Sequence, residues 1–327
     1  MRLRGFVVNF KITNTTTIST KVLPQKLAVG ILISLLGAIC FSSKAIFVKL
    51  AYRDTEVDAI ALLALRMVFS LPFFVASAFF FSRKTGNVKF TGIQWIQIAI
   101  IGCLGYYVSS LLDFLGLQYV SAGIERLILF VYPTFVVLMS SVIFKEKIKK
   151  QQYIALLLTY AGLVLAYVGE VDIVDPDPNF YLGTGLILLC ALTFATYIVG
   201  SGRVIPVIGA AKFNSYAMSF AGIGVLTHFF ITSDLSLWNF TPLVYLYASL
   251  MAIIATVVPS YLVSESIKRL GADNTAIVAS IGPVSTIIQA YIFLNEPIFA
   301  LQIAGTVLIL AGVLMIGKKR TDLPTRP

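Results

Sequence analysis

Charge is what this chain has least of. Only 12% of its 327 residues are charged, whereas 58% are hydrophobic and the mean hydropathy is +0.91. Soluble domains are about one quarter charged and about half apolar, so this composition excludes a water-soluble globular protein and indicates folding in a lipid bilayer. The net charge of +10 does not predict a nucleic-acid partner, because the basic residues lie in short loops between apolar segments. In that position they indicate the orientation of the chain across the membrane.

Residues that hold metals or perform covalent chemistry are also scarce. The chain has one histidine, His228, and 3 cysteines, Cys40, Cys103 and Cys190, each inside an apolar run. An odd number of widely spaced cysteines predicts neither a disulfide framework nor a zinc site. The sequence contains no HExxH pair and no Walker phosphate loop, and nothing places a nucleophile beside a base. We therefore expect no enzyme activity, no metal and no cofactor.

Long apolar runs are what the chain does have, and each is long enough to cross ~30 Å of hydrocarbon at about 1.5 Å per residue. Open sheet edges do not survive in lipid, so these runs are predicted to be helices. The sequence therefore predicts an all-α integral membrane protein with ten transmembrane helices. The predicted spans are 27–48, 59–81, 95–116, 122–144, 152–168, 182–200, 213–232, 243–263, 274–294 and 299–317.

The loops between these runs predict the orientation of the chain. Bases crowd the N-terminal segment, the even-numbered loops and the C-terminal tail, whereas the opposite loops carry only Lys49 and Arg53 together with most of the acids. Cytoplasmic loops are enriched in Lys and Arg. We therefore expect both termini in the cytoplasm, in the cytoplasmic membrane of a bacterium.

One stretch of the chain occurs twice. Residues 133–162 and 283–312 share a proline at the start, a glutamate thirteen residues later (Glu146 and Glu296) and a closing Ala-Gly. This offset of 150 residues predicts two copies of a five-helix unit. Because five is odd, the second copy enters the membrane from the other side, and inverted repeats are typical of secondary transporters. The predicted organisation is 1–26 cytoplasmic segment, 27–168 first repeat, 169–181 external linker, 182–317 second repeat and 318–327 cytoplasmic tail.

The combination resembles the EamA-type carriers of the drug/metabolite transporter superfamily. The resemblance is carried by the five-plus-five arrangement, Arg66 in the second helix, Pro133 and Pro283, the segments FKEKI (144–148) and LNEPI (294–298), and the closing Ala-Gly pairs. It implies a central cavity lined by helices 1–4 and 6–9, with helices 5 and 10 at the periphery. It also implies movement, often export, of small metabolites such as amino acids. Phe41-Ser42 departs from the Trp-Gly of many members.

Five charged residues inside the predicted helices are candidates for substrate binding or gating, because intramembrane charges are expensive. They are Lys44, Arg66, Asp113, Glu125 and Arg126. Counting along the helices places all five in the outer half of the membrane. We expect the two acids to pair with two of the three bases, which leaves one positive group for a substrate carboxylate. The alternative is that Lys44 snorkels to the headgroups while Glu125 and Arg126 cap the fourth helix.

Weaker candidates fall into two groups. Polar side chains that either line a cavity or pack between helices are Tyr107, Tyr132, Tyr197, Ser260, Tyr261, Ser285 and Gln289. Pro133 and Pro283 each remove a helical hydrogen bond, which makes either a hinge or a static kink. Glu146 and Glu296 are interpreted as structural, each at the positive end of the helix that it begins. His228 is interpreted as a packing or interfacial residue, with proton coupling as the alternative.

The function predicted from these features is a secondary transporter that moves a small, amino-acid-like metabolite, in the efflux direction, by alternating access between inverted repeats. One alternative is an anion exchanger of the nucleotide-sugar or triose-phosphate type, and another is a membrane protein that transports nothing. The expected partners are the substrate and the lipid bilayer, without nucleic acid. A coupling proton and the oligomeric state are left open.

Overall fold

The computed structural model describes residues 25–83, 90–145, 148, 150–171, 178–233, 236–270, 275, 278, 279 and 281–317. All regular secondary structure in these ranges is helical, which confirms the all-α prediction. The helices are α1 Gln25–Asp54, α2 Ala59–Ser82, α3 Gly92–Gly102, α4 Ser109–Gly116, α5 Ala122–Leu129, α6 Tyr132–Phe144, α7 Lys150–Val171, α8 Phe180–Ile208, α9 Ala210–Thr232, α10 Pro242–Ala252, α11 Val258–Leu270, α12 Gly282–Leu294 and α13 Ala300–Gly317. Most of the predicted N-terminal segment, residues 172–177 of the linker, the C-terminal tail and Glu146 lie outside the described residues.

Several of these helices are long and apolar enough to cross a membrane. Within the described ranges there are 7 such spans, which are Ala28–Asp54, Ala59–Ser82, Gly92–Gly116, Ala122–Ile143, Phe180–Gly202, Ala210–Thr232 and Pro242–Val263. Shorter apolar helices occupy Gln152–Val168, Gly282–Leu294 and Ala300–Gly312. The chain is therefore an integral membrane protein.

The helices α1, α8 and α11 run further than the sequence predicts, and α11 continues to Leu270 beyond the predicted end at 263. α1 continues to Asp54, because the polar residues beyond 48 find partners: the Lys49 ammonium donates to the carbonyls of Leu117 and Val120 at 3.2 and 3.0 Å, at the end of α4. α8 continues to Ile208 and stops at Gly209, whose φ of 85° few other residues adopt. The predicted ends at 48 and 200 are therefore too early.

Two spans are interrupted by a π-helical turn. Cys103–Val108 separates α3 from α4, and Ile253–Val257 separates α10 from α11. These turns begin 150 residues apart, the same offset as the repeated sequence motif. A π turn inserts an extra residue and frequently marks a functional site.

The prolines of the repeated motif start helices instead of kinking continuous ones. α5 ends at Leu129 and α6 begins at Tyr132, so that Pro133 stands in the first turn of α6, and Pro283 has the same place in α12. Proline suits this position, because the first N–H groups of a helix have no partner within it. The role of either residue as a hinge stays a prediction.

The helices α6 and α12 also end alike. Each is followed by a non-glycine residue in the left-handed region, Lys145 with φ 55° and Asn295 with φ 57°. These positions are again 150 residues apart. Such a conformation is uncommon outside glycine, so its recurrence at the offset of the sequence motif links the two halves of the chain at the level of the backbone.

α7 and α13 pack against each other through direct backbone contact. A Cβ atom added at Gly305 would lie 2.3 Å from the Gly162 carbonyl oxygen, and one added at Gly162 would lie 2.5 Å from the Gly305 carbonyl oxygen. Small residues permit such close approach in membranes, where van der Waals packing drives helix association. The last helices of the two sequence repeats therefore form a tight pair.

The largest apolar core lies at the end of the bundle where α1 ends and α2 begins. We call this the α1–α2 end; it is the side predicted to be external. The core includes Leu62, Phe114 and Met251, each exposing 1% or less of its surface. This packed end surrounds the buried charges described next.

A buried charged cluster

Three of the candidate charges meet in one buried contact. The Lys44 ammonium on α1 lies 2.5 Å from Oδ2 of Asp113 on α4 and 3.3 Å from Oε1 of Glu125 on α5. The side chains of Asp113 and Glu125 are 1% and 0% exposed, and that of Lys44 is 17% exposed. At this burial the charges are weakly screened, so the attraction between them is stronger than in a surface ion pair, and the cost of removing them from water offsets part of that gain.

The local backbone explains how these residues come together. Asp113 follows the first π turn by five residues, and the extra residue in that turn rotates α4 relative to α3. Ser109 secures the junction by donating to the Gly105 carbonyl at 2.6 Å. Glu125 is not needed as a cap of α5, because the Ser121 hydroxyl already accepts from the Ile124 N–H at 3.1 Å. The capping alternative for Glu125 is therefore wrong, and its carboxylate is available to Lys44.

The predicted distribution of ion pairs is wrong in one respect. We expected the two acids to take two different bases, yet in the described part of the chain both of them pair with Lys44. The reason is that Lys44 lies between α4 and α5 and reaches both carboxylates. Two of the three candidate bases, both arginines, are consequently left without a carboxylate partner among the described residues.

Arg66 on α2 is held by the second π turn. Its Nε donates to the Thr256 hydroxyl at 3.0 Å, and that hydroxyl donates in turn to the Met251 carbonyl at 2.9 Å. The guanidinium carbon lies 5.6 Å from the centre of the Phe114 ring. The residue is only 5% exposed, and its Nη1 has no hydrogen-bond partner among the described residues. Arg66 therefore offers an unused donor in the interior.

Arg126 on α5 is even less engaged. Its guanidinium carbon lies 5.8 Å from the centre of the Phe130 ring, and its buried Nε has no hydrogen-bond partner in the described ranges. A Cβ atom added at Gly282 would lie 2.8 Å from Arg126 Nη2, so the guanidinium reaches the first residue of α12. Because Gly282 has no side chain, the Arg126 guanidinium fits in the space beside it.

The carboxylates also have unused atoms. Asp113 Oδ1 and Glu125 Oε2 are both buried and receive no donor from the described residues. Buried polar atoms are nearly always hydrogen-bonded, and an exception at a functional site indicates a missing ligand, ion or water. The cluster therefore combines unused donors on the arginines with unused acceptors on the acids.

The remaining candidates lie outside this contact. Tyr197 packs its ring 4.9 Å from that of Tyr106, with 3.2 Å between their hydroxyls. The Tyr132 ring lies 5.1 Å from Phe194, and the Tyr107 ring lies 5.8 Å from His228. The other polar candidates bond within their helix or to a neighbouring one. Ser260 donates to the Thr256 carbonyl at 2.6 Å, and Gln289 donates to Ser285 at 2.9 Å and to the Ile39 carbonyl at 3.3 Å. Tyr261 bonds across to α2, to Ser77 and to the Phe73 carbonyl.

Glu296 acts on a different helix from the one predicted. Its two carboxylate oxygens accept from the N–H groups of Ala122 and Gly123, at 3.0 and 3.3 Å, at the start of α5. The prediction that it meets the dipole of the helix it begins is wrong, because the left-handed turn at Asn295 directs it across the bundle. Burial raises the pKa of the Glu296 carboxyl above its ordinary value, against the opposing effects of the two N–H bonds and of Lys49.

Sequence reasoning missed Thr256. Nothing about an isolated threonine in an apolar run distinguishes it, and only the π turn brings its hydroxyl to Arg66. One signal was available: Thr256 stands 150 residues after Tyr106, which lies in the first π turn and donates to Asn214 at 2.9 Å. Tyr106 and Thr256 thus occupy corresponding positions in the two halves of the chain, and each places a hydrogen-bonded hydroxyl in its π turn.

Comparison with known proteins places these features in a family. The model of the EamA-like transporter family matches residues 28–168 and again residues 181–318. The Bacillus subtilis (strain 168) protein named Uncharacterized transporter YcbK is 32% identical over 289 residues, covering 86% of this chain and 90% of its own. An uncharacterized transporter of Archaeoglobus fulgidus is 24% identical, covering 87% of this chain and 96% of its own.

A solved structure supports the fold independently. A crystal structure with 17% sequence identity superposes with a TM-score of 0.61, covering 90% of this chain and 99% of its own. At this identity the likeness shows the fold alone. Together with the double family match, the helical bundle and the transporter relatives, it leads to one identification: the chain belongs to the EamA-like transporter family and is a transporter, not an enzyme.

Proposed function

We propose that the protein is a secondary carrier for a small α-amino-acid-like metabolite and that it works in the efflux direction. The observation that carries this proposal is the set of unused buried atoms. Arg66 Nη1 and Arg126 Nε are donors, and Asp113 Oδ1 and Glu125 Oε2 are acceptors. A zwitterion has the complementary pair, a carboxylate for the arginines and an ammonium for the acids.

The neighbouring charges support this reading. Arg66 packs over Phe114, the residue that follows Asp113, and Arg126 follows Glu125 directly in α5, so the donors lie near the acceptors. A charge-assisted hydrogen bond contributes about 1.5–3 kcal/mol, enough to select a zwitterion over an uncharged analogue by about ten- to a hundredfold. Lys44 contacts both acids when the substrate is away, and its one positive charge offsets part of their negative charge.

The architecture that we propose for the transport cycle has ten transmembrane helices in two inverted repeats of five. The double family match and the recurrence of the π turn, the helix-starting proline and the left-handed cap at one offset support the repeat. The three shorter apolar helices complete the ten spans. In this arrangement the repeats rock against each other and open the site to either side in turn. Both termini face the cytoplasm of a prokaryotic cell.

The second candidate is an anion exchanger, which the pairing of both acids with Lys44 favours. Two arginines without a carboxylate partner suit a doubly charged anion such as an organic phosphate. Counterflow in liposomes that contain the purified protein separates the two functions. We expect labelled neutral amino acids to exchange. Exchange of phosphorylated compounds alone would favour the anion exchanger, and no exchange of any compound would contradict both substrate classes.

A further inference from the structure

The hydroxyl of Thr286 on α12 is buried and unused. The residue exposes 0% of its surface, and its Oγ1 has no hydrogen-bond partner among the described residues. Threonine hydroxyls inside helices commonly donate to the carbonyl four residues earlier, as that of Thr306 does to Gln302 at 2.7 Å. Thr286 departs from this pattern, and a buried polar group without a partner indicates a missing ligand or water.

A contact from α1 explains why this hydroxyl is free. The carbonyl four residues before Thr286 is that of Gly282, and it receives the Ser42 hydroxyl at 3.0 Å, while the Ser42 proton is shared with the Ala38 carbonyl at 2.9 Å. The Gly282 carbonyl is also the helical acceptor of the Thr286 N–H. Because a carbonyl oxygen has two lone pairs, both are occupied, and the Thr286 hydroxyl is left to bind another group.

The same part of α12 faces the unpaired arginine of α5. A Cβ atom added at Gly282 would lie 2.8 Å from Arg126 Nη2. Residues four apart on a helix share a face, with their Cβ atoms about 5–6 Å apart, so the Thr286 hydroxyl lies within about 10 Å of this nitrogen. A carboxylate that accepts from two donors holds them about 5–8 Å apart. One carboxylate therefore fits between the guanidinium and the hydroxyl.

The charges around this gap favour an anion. The first N–H groups of α12 give the start of that helix a partial positive charge, and the Arg126 guanidinium lies against it. Glu125 does not offset these charges, because consecutive residues of a helix point about 100° apart and its Oε1 contacts Lys44 at 3.3 Å. Two positive groups thus meet in the interior, and an anion between them would relieve their repulsion.

We propose that Arg126, Thr286 and the first turn of α12 form the subsite that binds the substrate carboxylate, and that Ser42 keeps the Thr286 hydroxyl available for it. This proposal rests on the proposed function, to which it adds the residues of α12 and α1. The guanidinium donates to one carboxylate oxygen and the hydroxyl to the other. Since α5 and α12 lie in different matches to the family model, the bound carboxylate connects the two halves of the chain.

Binding to this subsite can be measured without transport. The purified protein is unfolded thermally in detergent with sodium acetate or with acetamide, an uncharged molecule of the same shape, at one ionic strength. We expect acetate alone to raise the melting temperature of the wild type and of Thr306→Val, in which the lost hydroxyl bonded within its own helix. In Thr286→Val the acetate concentration that gives half of the effect should rise at least about tenfold.

Misfolding of the valine variant would not imitate this result. Thr286→Val keeps the shape of the side chain and removes a buried hydroxyl without a partner, so without acetate it should melt no lower than the wild type. Equal responses of the wild type and Thr286→Val to acetate would overturn the proposal. A wild type that responds to neither compound, or equally to both, would overturn it as well.

The role of Ser42 is tested by combining two substitutions. Ser42→Ala vacates a lone pair of the Gly282 carbonyl, so the Thr286 hydroxyl can turn back to its own helix and withdraw from the carboxylate. Acetate binding should weaken about two- to tenfold, and the double variant should bind no more weakly than Thr286→Val alone. Independent and additive effects of the two substitutions would contradict the role of Ser42.

Transport separates this subsite from the function on which it rests. Exchange of labelled neutral amino acids is measured in liposomes with wild type, Thr286→Val and Thr286→Ser. We expect the half-saturating concentration to rise about tenfold in the valine variant and to recover in the serine variant, with little change in the maximal rate. Wild-type saturation in Thr286→Val would overturn the subsite and leave the carrier function intact. Acetate binding that depends on Thr286, without any exchange of amino acids, would support the subsite and overturn the amino-acid substrate.

Discussion

Removing the ammonium of Lys44 is the sharpest perturbation of the cluster. Lys44→Met keeps the length of the side chain and leaves two carboxylates, 1% and 0% exposed, with no cation in contact within the described ranges. Loss of one partner of a buried ion pair costs about 3–5 kcal/mol, because the remaining charge stays buried and uncompensated. At roughly 2–4 °C per kcal/mol, the melting temperature in detergent should fall by about 6–20 °C.

A second set of substitutions, which restores the stability of Lys44→Met, identifies the cause of the lower melting temperature. Adding Asp113→Asn and Glu125→Gln to Lys44→Met removes both uncompensated charges, and thermal unfolding should return to within a few degrees of the wild type. Lys150→Met, at an exposed position that begins α7, is the control for loss of a surface lysine. If Lys44→Met melted at the temperature of the Lys150 variant, Lys44 would not be the counter-charge of the two acids, and the assignment of the cluster would be refuted.

Three further perturbations test other contacts. Thr256→Val removes the hydroxyl that accepts from Arg66 Nε, so exchange should slow by about tenfold for one lost hydrogen bond to a charged group, with Thr256→Ser recovering most of the rate. Gly305→Ala drives a methyl group against the Gly162 carbonyl, and this overpacking should destabilise the fold by about 1–3 kcal/mol in thermal unfolding. Because burial raises the pKa of Glu296, the folded protein holds that proton to higher pH than the unfolded chain, so stability relative to Glu296→Gln should fall as pH rises through the raised pKa.

Controls for these three perturbations are present in the chain. Gly185 lies in α8 with open space around its missing Cβ, so Gly185→Ala should leave stability unchanged or slightly raised, as expected for a helical glycine with room for a methyl group. A Thr256→Ser variant as slow as Thr256→Val would contradict the role of the hydroxyl. A stability difference between wild type and Glu296→Gln that rises with pH would contradict the direction of the pKa shift.

Much of the fold was predictable because the bilayer leaves few alternatives. The apolar runs alone predict helices. The 150-residue offset between Pro133 and Pro283 predicts a repeated unit, and the backbone has left-handed residues at the same offset, Lys145 and Asn295. The π turns were not predictable, since Cys103–Val108 and Ile253–Val257 differ from ordinary helix only in their hydrogen-bond pattern. Their consequence, the contact between Arg66 and Thr256, escaped sequence reasoning for the same reason.

The charged cluster illustrates a second limit. Counting along the helices predicted that Lys44, Asp113 and Glu125 lie in the outer half of the membrane, and the structure brings them together. Counting residues does not give the rotation of each helix about its own axis, and this rotation decides which charged side chains face each other. The sequence therefore identified the charged residues but paired the two acids with two bases, whereas Lys44 pairs with both. It also predicted that Glu296 interacts with the helix that it begins, whereas its carboxylate accepts from the first N–H groups of α5.

The central claim is that the unpaired arginines bind the substrate, and one measurement tests it most directly. The exchange of labelled neutral amino acids is compared between liposomes with Arg66→Gln and liposomes with Arg83→Gln, which changes an exposed arginine just beyond α2. The account predicts that exchange falls at least about tenfold in the Arg66 variant, because a charged hydrogen bond to the substrate carboxylate is lost, and stays at the wild-type rate in the Arg83 variant. Equal and undiminished exchange by both variants, at matched amounts of folded protein, would contradict it.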